Sequence, residues 1–471
     1  MSQKISQIAA GAELSKVFEH IDANKDKFVS CLIDYLRHPS ISAENIGIKE
    51  VAELLVSMMS RLELEARLIP TSGHPMVMGR WEHAPGAPTV LLYGHYDVQP
   101  PDPLDAWISP PFEPTVRDGR IYARGAGDSK SQHLAQILAV ESHLAVHGRL
   151  PCNVVILLEG EEEIGSPSLE EFICAHRDLL KADLVVTADG PMDSSGRPTV
   201  GHGCRGLASF ELRARIANRD VHSGIFGGVV PNPIWTLVHL LATMKNAAGE
   251  ITIEGFHDDI VPATDLERAM AARLPSDVDD VKRELGLAKL DAPASRSLVD
   301  RLMFNPTLTI NGFHGGYGGQ GSKTVIPHEA FVKCDARLVD RQNSEDILAK
   351  IEDHVKKHAP DVEFLRLEST PPSKTPLDSP FSAIVQRAVQ IAQGVEPLIY
   401  PTGAGTIPAY VFTQILGLPS FGTPYANADQ ANHAPNENVK IDCFLNGVRT
   451  GAALLDELGR VGAQEPVRRS V

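Results

Sequence analysis

Residues 89–98 read TVLLYGHYDV, an apolar run that turns polar only at His95 and Asp97. A run this short and this apolar predicts a strand buried within a sheet. Downstream, KSQHLAQILAVESHLAVHG (130–148) carries helical apolar spacing, and NVVILLEG (153–160) and ADLVVTADGP (182–191) repeat the apolar-strand pattern. Upstream, residues 19–42 and 45–64 read as helices. The alternation predicts an α/β domain with a mostly parallel central sheet flanked by helices. Ligands of such sheets bind beyond the carboxyl ends of the strands. Three strands here end at His95 and Asp97, at a cluster of glutamates, and at Asp189.

Past Arg205 the pattern changes. GLASFELRARI, PTLTINGF and HEAFVKCDARLVD alternate like strands with one wet face, and PNPIWTLVHLLATMK and SEDILAKIEDHVKKH read as helices. A smaller α+β domain over residues 206–375 is expected, inserted between segments 1–205 and 376–471 of the first domain. TPPSKTPLDSP (370–380) reads as the Pro-rich linker on its far side.

The length, 471 residues, exceeds one ordinary core, and 43% hydrophobic with 22% charged residues is a globular composition. The net charge of −16 argues against a nucleic-acid partner, which needs a basic face, and fits carboxylates gathered around cations. No apolar stretch is long enough to span a bilayer, so no membrane partner is expected. The start, MSQKISQIAAGAELSKVFEHID, has helical alternation and no signal-peptide core. Six cysteines (31, 152, 174, 204, 334 and 443) are scattered without a CxxC pair, which points to free thiols in a reducing compartment, the cytoplasm.

LLEGEEEIGSPS (157–168) places Glu159, Glu161, Glu162 and Glu163 within five positions, a repulsion that asks for positive charge nearby. Taken singly, the candidates have bland readings: His95 and His433 as loop histidines, Asp128 as a helix N-cap, Asp189 as a turn residue. Together, two histidines and several carboxylates beyond strand ends make a ligand set for one or two divalent transition metals. A metal pair needs a bridging carboxylate and an unligated one to take a proton from water, and the glutamate cluster can supply ligand and base. GYGGQG (316–321) resembles a phosphate loop, but Ser322 interrupts the required order and a strand-like, proline-containing stretch follows. Cys204 has no base motif beside it and reads as a buried thiol.

GHYDVQP, DPLDAWISPPFEP, DGRIYARGAGDSK, EGEEEIGS, DVHSGIFGGVVPNP, GSKTVIP and NHAPNEN run in order from about residue 40 to 440. As a set they resemble the M20 metallopeptidases, closest to their cytosolic, carnosinase-like dipeptidase branch. The resemblance implies two divalent metals per subunit, zinc first, with manganese or cobalt as alternatives. It implies His95, Asp128, Glu163, Asp189 and His433 as ligands, Asp128 bridging, and Asp97 holding the His95 ring. It makes Glu162 the general base and His222 a donor to the oxyanion of a partner subunit's site, in a homodimer built through the inserted domain, which also closes as a lid. Arg337 and Thr406, with Thr324, match positions that hold a substrate carboxylate. The expected activity is hydrolysis of an amide bond in a dipeptide or similar small substrate with a free carboxylate.

The chain departs from the family pattern at Ser129 and Ser131, and again at Thr402 and Gly403, where many dipeptidases carry Arg and Glu. The second departure puts recognition of the substrate's amino end in question. An N-acyl-amino-acid deacylase or carbamoylase is the alternative on the same scaffold. A catalytically inactive dimeric binding module is the alternative from another class.

Overall fold

The computed structural model of the protein describes residues 10–275, 278–290 and 297–462. The first nine residues of the alternating start lie outside them. The chain divides into two compact units. One takes Met1–His202, Thr375–Tyr400 and Val411–Val471, as far as these are described; the other takes Gly203–Lys374 and Pro401–Tyr410. The strands of their main sheets are, in chain order, β1 (Glu65–Ile69), β2 (Met76–Trp81), β3 (Thr89–His95), β4 (Asn153–Glu159), β5 (Leu184–Thr187), β6 (Thr199–Gly201), β7 (Gly206–Arg215), β8 (Thr307–Gly315), β9 (Glu329–Leu338), β10 (Glu363–Thr370), β11 (Leu398–Tyr400) and β12 (Ser420–Gly422). The longer helices are α1 (Ala12–Ala23), α2 (Lys25–Leu36), α3 (Ile48–Arg61), α4 (Lys130–His147), α5 (Pro233–Met244), α6 (Ser344–His358), α7 (Ser382–Gln393) and α8 (Ile441–Gly462).

The first unit holds an eight-stranded sheet in the order β1-β2-β4-β3-β5-β12-β6-β11. Its centre, β4-β3-β5-β12, is parallel, with antiparallel neighbours toward β1 and between β12 and β6. Val90–Leu92, Val154–Leu158 and Leu184–Val186 are all buried. Successive side chains of a strand face opposite ways, so such runs require cover on both faces. Helix α4 packs on β3, α3 on β1 and β2, and α8 against α4, α7 and α1. The register sets His95 opposite Glu159 and Tyr93 opposite Thr187, which brings Asp189, two residues on, level with His95.

Local chemistry explains two departures from the expected elements. The stretch 19–42 forms two helices broken at Asn24, whose amide Nδ2 and backbone N–H both donate to His20 O. An Asn side chain that bonds nearby backbone competes with helix continuation. The Pro-rich linker is partly ordered into a sheet: Ser373 pairs with Cys204, and Lys374 bonds Glu267 and Asp340.

The second unit carries an antiparallel sheet ordered β8-β9-β7-β10. Phe210, Leu212, Val332 and Cys334 of its strands make one core with Leu237 and Leu240 of α5 and Ile347 and Ile351 of α6. Alternation then turns Asp335 and Arg337 of β9 to the other face. Residues Pro401–Tyr410 fall with this unit rather than with the carboxyl-terminal segment, because Gly403 exchanges backbone hydrogen bonds with Gly203 and Arg205.

Candidate metal centre

The carboxyl ends of β3, β4 and β5 gather the acidic cluster in the first unit. His95 ends β3, buried, with Nε2 3.2 Å from Asp128 Oδ1 and 3.8 Å from Asp189 Oδ2. Its Nδ1 lies 3.1 Å from the Asp97 carbonyl and 3.4 Å from the Asp97 carboxylate. With Nδ1 engaged there, Nε2 is the atom turned toward Asp128 and Asp189. Asp97, fully buried, also accepts from the backbone N–H groups of Glu162 (3.2 Å) and Glu163 (3.0 Å).

Glu162 and Glu163 open a short 3₁₀ turn, Glu162–Ile164, that closes on Gly165 at φ 88°. Only glycine takes that conformation without steric cost, which gives the glycine of the Glu-Glu-Ile-Gly-Ser run a physical reason. Gly165 N–H then bonds Glu162 O, and Ser166 N–H bonds Glu161 O. Glu163 Oε2 lies 3.1 Å from His433 Nε2, which is also 3.1 Å from Asp128 Oδ2.

Asp128 therefore presents one oxygen to His95 and the other to His433. Two triads result, His95/Asp128/Asp189 and Asp128/Glu163/His433, each with its ligand atoms within 4.8 Å of one another. All five donors are imidazole nitrogens or carboxylate oxygens, the set taken by zinc, manganese or cobalt. His95 Nε2 is buried without a hydrogen-bond partner of its own, facing that gap. The residues present fit a two-metal centre.

The electrostatics show the cluster's demand for positive charge. Burial opposes protonation of His95, yet Asp128, Asp189 and Asp97 raise its pKa well above the usual imidazole range. His433 is raised to about 10 by its hydrogen bonds to Asp128 and Glu163. Asp128 is lowered despite its burial, through His433 and His95. Burial raises Glu162 well above the ordinary carboxyl range, and repulsion from Asp189, Glu163 and Asp128 adds to it against the pull of His95. Burial also raises Glu163, against the opposing hydrogen bond from His433.

Several supporting residues escaped sequence reasoning. Glu437 is fully buried and accepts from Arg124 Nη1 (2.7 Å) and from the N–H groups of Gly125, Gly127 and Asp128, which shapes the loop that carries Asp128. Gln99 Nε2 donates to Glu163 at 3.0 Å, and Asn432 Nδ2 to Asp128 at 3.3 Å. Gln132 ties Gly127 O and Gly190 O while accepting from Tyr425 N–H. Glu159 is a core residue rather than one more exposed charge: Tyr93 OH and Ser166 OH both donate to its Oε1, and burial pushes its pKa up to about 8. Only their polar types marked them, and that signal does not separate them from solvated residues. At the departures, Ser129 Oγ lies 3.4 Å from His95 O and Ser131 is buried.

The remaining candidates lie in the second unit. His222 is exposed and caps the short helix Ser223–Phe226, with Nδ1 accepting from Gly224 N–H; its Nε2 is 3.3 Å from Thr324 Oγ1. Arg337 Nη1 donates to Thr406 Oγ1 at 2.7 Å, and its Nε to Asp335 at 3.2 Å. His222 and Thr324 thus form one pair, and Arg337 and Thr406 another.

A family model described as "Peptidase family M20/M25/M40" matches residues 91–457, which contain every residue of both triads. The chain belongs to this family. It is 30% identical over 473 residues to the Cys-Gly metallodipeptidase dug1 of Schizosaccharomyces pombe, covering 95% of this chain and 99% of the relative. It is 28% identical to the human Beta-Ala-His dipeptidase, with coverage of 96% and 94%. Among solved structures, the M20 family metallo-carboxypeptidase Sso-CP2 from Sulfolobus solfataricus superposes with a TM-score of 0.86 at 35% identity, covering 92% of this chain and 99% of that one. This M20 chain has no described helix long and apolar enough to cross a membrane.

Proposed function

We propose that this M20 chain is a metallodipeptidase that hydrolyses the amide bond of small substrates with a free carboxylate. The observation that carries this is the pair of triads sharing Asp128, with Glu162 directly before the ligand Glu163 and free of any hydrogen bond from its own carboxyl to a described residue. Two divalent cations there, zinc by preference and manganese or cobalt as alternatives, supply a water acidic enough to ionise near neutral pH and an electrophile for the scissile carbonyl. Glu162 takes the water's proton and returns it to the leaving amine. Asp97 keeps His95 and the Glu162–Glu163 turn in place. Arg337 and Thr406, with Thr324, hold the carboxylate, and His222 donates to the oxyanion from a second subunit.

The inserted unit is the lid and the homodimer surface in this reading. Ile225 of the short helix after His222, Val229 in the turn that follows it, and Trp235 and Val238 of α5 are exposed apolar side chains. The described cysteines are all free thiols, in keeping with a reducing cytoplasm, and the charge of −16 speaks against nucleic acid.

Deacylation of N-acyl amino acids is the second reading, and one observation favours it. At Thr402 and Gly403 the chain offers a buried hydroxyl and a backbone tied to Gly203, with no charged side chain to read a substrate amine. A panel of unblocked dipeptides and their N-acetyl counterparts, assayed with chelator-stripped protein refilled with each metal, decides between them. Cleavage of the free dipeptides is expected; cleavage of the acetylated compounds alone overturns the dipeptidase reading.

A further inference from the structure

Arg205 stands just before β7 and is only 7% exposed. Its backbone N–H bonds Gly403 O and Gly405 O, and its Nε donates to Ala404 O at 2.8 Å. These contacts staple the loop that carries Thr406, the residue that accepts from Arg337. They leave the guanidinium's outer end over. Arg205 Nη1 is buried with no hydrogen-bond partner. A buried donor of a charged group is seldom left unmade without a ligand to meet it.

The charge balance points the same way. Burial pushes the pKa of Arg205 down to about 10, and the charge of Arg337 adds to that against the pull of Asp335. The carboxylate that acts on Arg205 is Asp335, which already accepts from Arg337 Nε. Two guanidiniums against one carboxylate leave one positive charge over in a partly desolvated place, the condition for binding a monoanion.

We propose that Arg205 is a second guanidinium of the carboxylate subsite, binding the substrate's carboxylate through Nη1 alongside Arg337 and Thr406. This rests on the reading of Arg337 and Thr406 as carboxylate-binding residues. Its consequence for substrate class is a strict requirement for a free α-carboxylate, read by two arginines, whatever stands at the amino end.

The test compares wild-type metal-loaded protein with Arg205→Gln and Arg205→Lys. Hydrolysis of Ala-Leu gives KM and kcat; calorimetric titration with L-leucine and L-leucinamide gives binding without turnover. For Arg205→Gln, KM for Ala-Leu should rise tenfold or more, with a smaller change in kcat. The affinity for leucine should fall by a similar factor while that for leucinamide moves less than twofold. Arg205→Lys keeps the charge but cannot reach both Ala404 O and an anion, so it should fall between wild type and Gln. It also carries the test if the Gln variant does not fold. Equal losses for leucine and leucinamide reduce Arg205 to a loop staple and overturn the proposal. If wild type cleaves no dipeptide, the dipeptidase reading fails, while the leucine–leucinamide difference still decides the subsite.

Discussion

Asp97 meets the backbone of Glu162 and Glu163 with both carboxylate oxygens while facing His95, so one buried side chain fixes a candidate ligand and the turn beside it. That arrangement makes Glu162→Gln an informative change, because an amide of the same shape leaves the Asp97 contacts to the backbone intact. The variant should keep its bound metal, read by elemental analysis, and lose at least about a hundredfold in kcat, the usual worth of a general base. Near-wild-type turnover would remove Glu162 from that role. A second residue-scale expectation concerns His202, buried edge-on against Phe421 at 5.2 Å, with its pKa pushed down to about 4 by burial. An unfolded histidine titrates near 6.5, so as pH falls the unfolded chain gains this proton first. The contribution of His202 is complete above pH 6.5 and is lost on descending to about 4, up to about 3 kcal/mol. Urea unfolding at pH 7 and pH 4.5 should show a smaller loss for His202→Phe than for wild type; parallel curves would contradict this.

At the scale of elements, β3, β4 and β5 were legible from residues 89–98, 153–160 and 182–191 because runs of buried apolar residues leave a local signature. Their order in the sheet was not, since nothing local records that β3 lies between the other two. The site depends on that order, as it sets His95, Glu159 and Asp189 side by side. The close approach of α8 to α4 also has no local signature. A Cβ on Gly451 would lie 2.8 Å from Ala139 Cβ, and one on Gly447 2.6 Å from the Tyr425 ring. Gly451→Leu should therefore cost about 1–3 kcal/mol through overpacking, visible as a lowered urea midpoint. An unchanged midpoint would mean that the two helices do not meet as described.

Across the whole molecule, the second unit exposes Val229 at 77%, in the turn after the short helix, and Trp235 at 61%, on α5, high exposures for apolar side chains close together in the chain. The homodimer reading expects this face to be covered by a second copy. Sedimentation of the wild type should then give a dimer, and Val229→Asp with Trp235→Asp should shift it to monomer. Activity should fall with dissociation, since His222 acts from the other subunit in this reading. A wild-type monomer with full activity would sink both claims.

Local patterning alone carried β3, β4, β5, β7, β8 and β9, several helices, the change of style after Arg205 and the surplus of acid that asks for cations. These are matters of spacing between near neighbours, which apolar periodicity and residue type record directly. The motif resemblance singled out Glu162 and Glu163 within the cluster, and spacing by itself did not. Tertiary structure alone decided that Glu159 is a core acid clasped by Tyr93 and Ser166, and that Pro401–Tyr410 belongs with the second unit. It also decided that Glu437 meets Arg124 across 313 residues of chain. Each depends on which distant backbone closes over a polar group, and the cost of burying that group unpaired is set by the fold rather than by its neighbours in sequence.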